Sequence, residues 1–328
     1  MPQPRPPESG LASKEIVMSS DRRRFLGRGA RLAAALSLPC GTWPASTLAA
    51  PPAAGPLRRA LPGGHDTLPV IGMGTSNTFN VGTERAERAP LAEVLALLLQ
   101  TPGSVIDTAP SYGSAQGVTG DLLRDANARG KVFLATKISS PAGGAAQAQW
   151  TQSLRDLHSD TVDLLQVHNL IDWRDNLRFA RQLKDQGKTR HVGITHYRED
   201  AHEALAQIVR SERLDFVQLN YSLAERNAER ALLPLCQERG VAVLVNRPFQ
   251  DGRLFRAVKD RPLPPWASEI DCASWGQIFL KFIISHPAVT AAIPATSKPR
   301  NMQDNLGAGL GRMPDARQRE RIAALLAA

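Results

Sequence analysis

Short apolar runs alternate with helical patterns from about residue 66 to the end of the chain. Eight of these runs are short, mostly apolar and rich in β-branched or aromatic residues, which is typical of strands. They are Val70–Thr75, Ser104–Asp107, Val132–Ile138, Val162–His168, His191–His196, Phe216–Tyr221, Val241–Phe249 and Thr290–Thr296. The helical patterns between them include Leu91–Leu99, Gly117–Ala126, Gln147–Leu157, Leu177–Gln186, His202–Val209, Glu229–Arg239 and Ser274–Ser285. This alternation predicts a parallel sheet covered by helices.

The number and order of these elements predict an α/β fold, a single-domain (β/α)8 TIM barrel over residues 66–328. A doubly wound parallel sheet is the alternative. It is disfavoured because no G-x-G-x-x-G sequence follows the first strand, and Gly72-Met73-Gly74 is too short for that fingerprint. Gly130, Gly187 and Gly240 are predicted to end helices as C-cap residues.

A basic, then apolar, then mostly small-residue segment precedes the predicted barrel. Asp21–Arg28 is basic, Leu32–Leu38 is apolar but too short to span a bilayer, and Ala45–Ala50 is mostly small. This order resembles a twin-arginine signal peptide, with Arg22-Arg23 as the pair. We therefore predict a signal peptide over residues 1–49, a Pro/Ala-rich linker over 50–65, and no membrane span after cleavage. The resemblance implies that the twin-arginine export machinery carries the folded protein to the periplasm; a basic disordered tail is the alternative.

The composition favours a folded enzyme-sized domain over a disordered chain, with 42% hydrophobic and 22% charged residues among 328. Residues 1–50 hold seven Lys or Arg against three Asp or Glu, which leaves 33 against 28 for the rest of the chain. That remainder has no dense basic run and the chain is only 5% aromatic, so nucleic-acid binding is not expected.

The three cysteines, Cys40, Cys236 and Cys272, lack the spacing of a metal site, so no metal is expected. Cys236 and Cys272 are either buried thiols or a disulfide.

Four polar side chains follow or end adjacent predicted strands. Asp107 ends the second strand with Tyr112 just beyond it, Lys137 lies near the end of the third, and His168 ends the fourth. Each alone is commonly a capping or structural residue. Since the C-terminal ends of barrel strands meet at one face, where TIM-barrel chemistry occurs, four such residues together predict an active site.

The same segments resemble the aldo-keto reductase family over nearly the whole predicted barrel. The most specific is Asp107-Thr108-Ala109-Pro110-Ser111-Tyr112-Gly113, because it keeps the spacing of Asp107 and Tyr112. Other matching segments are Ile71–Thr75, Ala135–Lys137, Asp163–His168, Gly187–Ile194, Gln218–Tyr221, Arg247–Phe249 and Ile293–Pro294.

This resemblance implies an NADPH-dependent reduction of an aldehyde or ketone to an alcohol by hydride transfer. Tyr112 is then the proton donor to the carbonyl oxygen. Lys137 lowers the cost of the phenolate that remains, and Asp107 keeps that ammonium charged and fixed. His168 gives a second hydrogen bond to the carbonyl oxygen.

The resemblance also implies which residues hold the cofactor, which is NADP(H) with NAD as the alternative. They are Gly74, Thr75, Thr195, His196, Gln218, Arg247, Phe249, Thr296, Lys298, Arg300, Asp304 and Asn305. Thr195-His196 stands where the family has Ser-Asn beside the nicotinamide amide, and Asn246 replaces a frequent aromatic residue. Lys298 and Arg300 are expected to supply the charge for the 2′-phosphate.

These expectations describe a monomer that acts on a small-molecule carbonyl substrate. One alternative is a non-enzymatic redox sensor that binds the nucleotide on the same barrel. A second alternative is an enzyme that uses the same four residues for a different reaction on an envelope metabolite. A sensor needs no proton donor at the hydride position, so retention of all four residues favours the enzyme.

Overall fold

The computed structural model describes residues 55–64 and 66–326 of the chain. The predicted signal peptide over residues 1–49 lies outside the described residues, as do residues 50–54 and 65 of the predicted linker. Within the described part, no helix has the length and apolar character needed to cross a bilayer. Cys236 and Cys272 are both buried free thiols, so the disulfide alternative is not what the structure contains.

The strands form a small antiparallel hairpin and an eight-stranded parallel sheet. The hairpin strands are β1 (Arg58–Ala60) and β2 (Thr67–Pro69). The parallel strands are β3 (Met73–Gly74), β4 (Val105–Asp107), β5 (Phe133–Ile138), β6 (Val162–His168), β7 (Thr189–Thr195), β8 (Phe216–Asn220), β9 (Ala242–Asn246) and β10 (Ala291–Ala292). Each parallel strand pairs with the next in chain order from β3 to β10.

The sheet returns on itself at its two end strands. Gly72 N donates to Ala292 O and Ala292 N donates to Val70 O, both at 2.9 Å, and an isolated parallel bridge joins Gly74 to Ala295. The predicted (β/α)8 barrel is therefore confirmed.

The helices follow the barrel strands along the chain. They are α1 (Arg85–Leu98), α2 (Ala115–Asp125), α3 (Gly144–Asp156), α4 (Trp173–Asp185), α5 (His202–Ser211), α6 (Leu232–Glu238), α7 (Arg253–Ala257), α8 (Trp275–Ile284), α9 (Pro299–Gly307) and α10 (Ala316–Ala323). Gly187 and Gly240, with φ of 71° and 63°, follow α4 and α6 in the left-handed conformation expected of C-cap glycines. The prediction for Gly130 is wrong, because that glycine lies inside a 3-10 turn, Arg129–Lys131.

The hairpin closes the N-terminal end of the barrel. Leu61 and Leu68 are 5% and 3% exposed and share one buried cluster with Phe133 and Phe216, which begin β5 and β8. Strand β1 lies inside the range predicted as linker, so the folded part begins before residue 66. The opposite end of the barrel is left free for the candidate site.

Helix α8 contains a lysine with no exposed surface. Lys281 donates from Nζ to the carbonyl oxygens of Ile270 (2.6 Å), Leu310 (2.7 Å) and Arg312 (2.9 Å). Burial lowers the pKa of Lys281, but these three acceptors satisfy all three of its protons. The ammonium thereby ties α8 to two loops of the C-terminal part of the chain.

Candidate active site

Three adjacent strands bring the four predicted catalytic side chains to the C-terminal end of the barrel. Asp107 ends β4, Lys137 is the next-to-last residue of β5, and His168 ends β6. Tyr112 lies in the loop between β4 and α2, where its N–H donates to Ala109 O at 3.1 Å. All four groups therefore lie at or just beyond the C-terminal ends of three neighbouring strands.

Asp107 and Lys137 form an ion pair in the barrel interior. Lys137 Nζ lies 2.6 Å from Asp107 Oδ2 and 2.8 Å from Thr108 O, and the two side chains are 0% and 3% exposed. Burial opposes the charge of Lys137, but the Asp107 carboxylate and the Tyr112 phenol outweigh that cost, so the pKa of Lys137 is raised. The ammonium stays charged at neutral pH.

The second carboxylate oxygen of Asp107 is also fully engaged. Its Oδ1 accepts from Gln218 Nε2 at 2.8 Å and from Gln166 Nε2 at 3.1 Å. The side-chain oxygen of Gln218 in turn accepts from Thr195 Oγ1 at 3.1 Å and from Asn246 Nδ2 at 3.3 Å. Gln218 therefore links the ion pair to the polar groups at the ends of β7 and β9.

Tyr112 lies directly over the ion pair. Lys137 Nζ is 4.8 Å from the centre of the Tyr112 ring, and the ring meets the His168 ring edge-on at 5.7 Å. Burial raises the pKa of Tyr112, while Lys137 acts in the opposite sense. The phenol thus holds its proton in the resting state, next to a cation that favours its loss.

His168 contacts two serine hydroxyls through one ring nitrogen. Its Nδ1 lies 2.7 Å from Ser139 Oγ and 3.2 Å from Ser111 Oγ. Burial and, next, the charge of Lys137 lower the pKa of His168 to about 3. The imidazole is therefore neutral at physiological pH, with a proton on one nitrogen only.

A cavity of about 920 Å³ opens beside these residues. Asp107, Tyr112 and His168 line it, as do nine of the residues predicted to hold the cofactor: Gly74, Thr75, Thr195, Gln218, Arg247, Phe249, Thr296, Asp304 and Asn305. His196, Lys298 and Arg300 are not among its lining residues. His196 stacks on Tyr197 instead, while Lys298 and Arg300 are exposed at the start of α9.

The loop after β9 forms one wall of the cavity in an uncommon conformation. Arg247, Gln250 and Asp251 have φ values of 50° to 52°, which non-glycine residues adopt at a cost of the order of 1–3 kcal/mol each. Arg247 pairs with Asp251 at 2.8 Å and its guanidinium lies 5.7 Å from the Tyr197 ring. Such strain commonly accompanies ligand-binding loops.

Asp304 faces the same cavity from α9. Its two carboxylate oxygens accept from Ser274 Oγ at 2.7 Å and from Gln277 Nε2 at 2.9 Å, so α8 fixes the orientation of this side chain. Asn305 follows the half-buried Asp304 and is itself buried. A fixed carboxylate next to an amide suits recognition of a heterocycle that carries both donors and acceptors.

Sequence reasoning did not identify Gln166, Ser111, Ser139 or Tyr197 as site residues. Gln166 gave one signal, since it is a polar residue with apolar neighbours on both sides in strand β6. The two serines and Tyr197 gave none, because their place in the site depends on loops from different strands meeting in space.

Comparison with known proteins identifies relatives of the whole barrel. The model of the Aldo/keto reductase family matches residues 70–326. Methylglyoxal reductase YeaE of Escherichia coli is 28% identical over 249 residues, which cover 74% of this chain and 86% of that protein. An NADH-specific methylglyoxal reductase of the same organism is 25% identical over 185 residues, or 46% of this chain and 54% of that one.

Solved structures agree with this match. An aldo-keto reductase from Klebsiella pneumoniae, crystallised in complex with NADPH, superposes with a TM-score of 0.68 at 26% identity. The superposition covers 79% of this chain and 91% of the Klebsiella protein. The similarity thus extends over nearly the whole of the other chain.

Proposed function

Because the chain belongs to the aldo/keto reductase family and is therefore an oxidoreductase, we propose that it reduces an aldehyde or ketone with NADPH, using Tyr112 as proton donor. One observation carries this proposal: a buried ion pair, Asp107–Lys137, lies beneath a phenol that faces a cavity of about 920 Å³. A buried ion pair is costly to keep, because both charges lose their hydration, and it is weak evidence for stability alone. Placed beneath an acid at a cavity wall, it favours a catalytic role.

The groups lining the cavity suit a dinucleotide. The hydroxyl of Thr195 and the amides of Gln218 and Asn246 would hold the nicotinamide carboxamide, since they supply both donors and acceptors close to Tyr112. The buried Oδ1 of Asn246 has no partner within the described residues, which leaves one acceptor for such an amide. When bound, the nicotinamide supplies the hydride that reduces the carbonyl carbon.

The rest of the nucleotide would lie along β9, β10 and α9. Arg247 is the charged group for the pyrophosphate, and binding there competes with its ion pair to Asp251. Asp304 and Asn305 would hold the adenine. Gly74, Thr75, Phe249 and Thr296 complete the walls of the same cavity.

Lys298 and Arg300 are proposed to recognise the 2′-phosphate. Both are exposed at the first turn of α9, whose residues Asn301, Asp304 and Asn305 line the cavity. The helix N-terminus adds its own attraction for a phosphate. This arrangement favours NADPH over NADH, although a relative of the chain is an NADH-specific enzyme.

Tyr112 donates its proton to the carbonyl oxygen as negative charge develops there. The charged Lys137, 4.8 Å from the ring centre, lowers the cost of the phenolate, and Asp107 holds Lys137 in place. His168 is neutral and donates a hydrogen bond to the same oxygen. Since a phenol has an ordinary pKa of about 10, this assistance is what makes Tyr112 an effective acid at neutral pH.

Isotope transfer tests the proposed reaction. The purified protein is incubated with NADPH deuterated at the transferable position and with a panel of carbonyl compounds that includes methylglyoxal, the substrate named for one relative. We expect deuterium at the carbinol carbon of at least one product. If the protein binds NADPH and no product from the panel carries deuterium, the redox-sensor alternative replaces this proposal.

We also propose that the chain is exported folded by the twin-arginine route, with its nucleotide loaded beforehand. The support is the order of Arg22-Arg23, the apolar run Leu32–Leu38 and the small residues after it. A compartment outside the cytoplasm has little free nucleotide. A ligand at a thousand times its dissociation constant stabilises the folded form by about 4 kcal/mol, so the exported species would be the liganded one.

Changing Arg22 and Arg23 to Lys tests the export proposal. We expect the variant to stay in the cytoplasm with nucleotide bound, while the original protein reaches the periplasm. Normal export of the variant, or periplasmic protein that never carries nucleotide, would refute it.

A further inference from the structure

Two serine hydroxyls from different strands converge on His168. Ser139 directly follows β5 and lies 2.7 Å from His168 Nδ1, while Ser111 lies in the loop after β4 at 3.2 Å. The two hydroxyl oxygens are 3.3 Å apart. Ser139 is fixed in this place, because its own N–H donates to Gln149 Oε1 of α3 at 2.7 Å.

The other ring nitrogen of His168 faces the cavity. Within residues 55–64 and 66–326, Nε2 has no hydrogen-bond partner. It is not one of the unpaired atoms that are buried, so it is accessible from the cavity that His168 lines. A neutral imidazole carries one proton, so the group at Nδ1 decides what Nε2 presents to the cavity. With the proton on Nδ1, Nε2 would turn a lone pair toward a carbonyl oxygen and repel it.

We propose that Ser139, supported by Ser111, is a positioning residue that donates its hydroxyl proton to Nδ1 of His168 and thereby keeps the imidazole proton on Nε2. A hydroxyl can donate or accept, so the 3.3 Å contact between the two serines allows Ser111 to donate to the Ser139 oxygen while Ser139 donates to Nδ1, which gives each hydroxyl proton an acceptor. His168 is then held as a donor aimed into the cavity. The consequence for catalysis rests on the proposed function, whereas the tautomer itself does not.

Nuclear magnetic resonance of the purified protein labelled with ¹⁵N-histidine measures the tautomer directly. At neutral pH we expect the His168 ring, assigned by its absence in His168→Gln, to carry its proton on Nε2. Ser139→Ala should shift it toward a mixture of tautomers, and Ser139→Thr, which keeps the hydroxyl, should restore it. Ser140→Ala is the matched control, because the buried Ser140 hydroxyl has no partner among the side chains that the structure describes.

Steady-state kinetics on the same variants measures the consequence. Ser139→Ala should lower kcat about tenfold with little change in NADPH affinity, because part of the population loses a donor to the carbonyl oxygen. Ser139→Thr should recover most of that loss, and Ser140→Ala should match the original protein.

The two measurements distinguish a failure of the positioning role of Ser139 from a failure of the proposed function. A proton on Nδ1 in the original protein, or a tautomer and kcat unchanged in Ser139→Ala, overturns the positioning role of Ser139. An Nε2 tautomer that depends on Ser139 in a protein that reduces no carbonyl supports the positioning role and refutes the proposed function instead.

Discussion

Removing the charge of Lys137 should destabilise the whole barrel. The ammonium and the Asp107 carboxylate are 2.6 Å apart, and such charges attract by about 6 kcal/mol at an effective dielectric constant of about 20. Lys137→Met keeps much of the side-chain volume but leaves Asp107 with only the amides of Gln166 and Gln218. Since an unpaired buried charge costs several kcal/mol, we expect the free energy of unfolding to fall by about 3–5 kcal/mol.

Urea unfolding at neutral pH, followed by tryptophan fluorescence and circular dichroism, measures this loss. Lys131→Met removes an exposed lysine and should change stability by less than about 0.5 kcal/mol. The double variant Asp107→Asn/Lys137→Met has no unpaired charge and should be more stable than Lys137→Met alone. The reasoning about the ion pair is refuted if Lys137→Met unfolds at the same urea concentration as Lys131→Met. It is also refuted if the double variant loses as much stability as Asp107→Asn and Lys137→Met lose separately when their losses are added.

Three further predictions concern the cofactor, the pH profile and the fold. Replacing both Lys298 and Arg300 by Ala should weaken NADPH about tenfold or more and leave NADH nearly unchanged in a fluorescence titration; equal weakening of both would contradict the assignment. Since the pKa of His168 is about 3, its titration should cause no loss of kcat/KM as pH falls from 8 to 5, and an acid limb near 6.5 that His168→Gln removes would contradict this. Lys281→Met should lower stability by about 3 kcal/mol in urea unfolding, because three carbonyls, that of Ile270 buried and the other two partly buried, lose a charged donor; an unchanged midpoint would show that they find other partners.

The barrel strands could be predicted because a strand buried on both faces leaves a continuous apolar run. Strand β6 has the bounds that its sequence predicts, Val162–His168. The two end strands are shorter than predicted: Thr290–Thr296 contains only Ala291–Ala292 as regular strand. Pro294 has no N–H to continue the ladder, and apolar patterning does not report where hydrogen bonds end.

The site could be predicted where its residues end strands and could not where segments meet in space. Asp107 and His168 are the polar last residues of apolar strands, so their positions follow from the fold. Ser139 is 29 positions from His168 in sequence, and no local pattern encodes their contact. The sequence alone does not separate the hairpin strand β1 from the linker for a similar reason, because the burial of Leu61 depends on the barrel that it closes.

The most direct test of the central claim is carbonyl reduction by Tyr112→Phe. The substitution keeps the ring over Lys137 and removes only the hydroxyl that donates the proton. We predict that kcat falls on the order of a hundredfold or more, while the dissociation constant for NADPH stays within about twofold. Reduction by Tyr112→Phe at close to the original rate would contradict the assignment of Tyr112 as the proton donor.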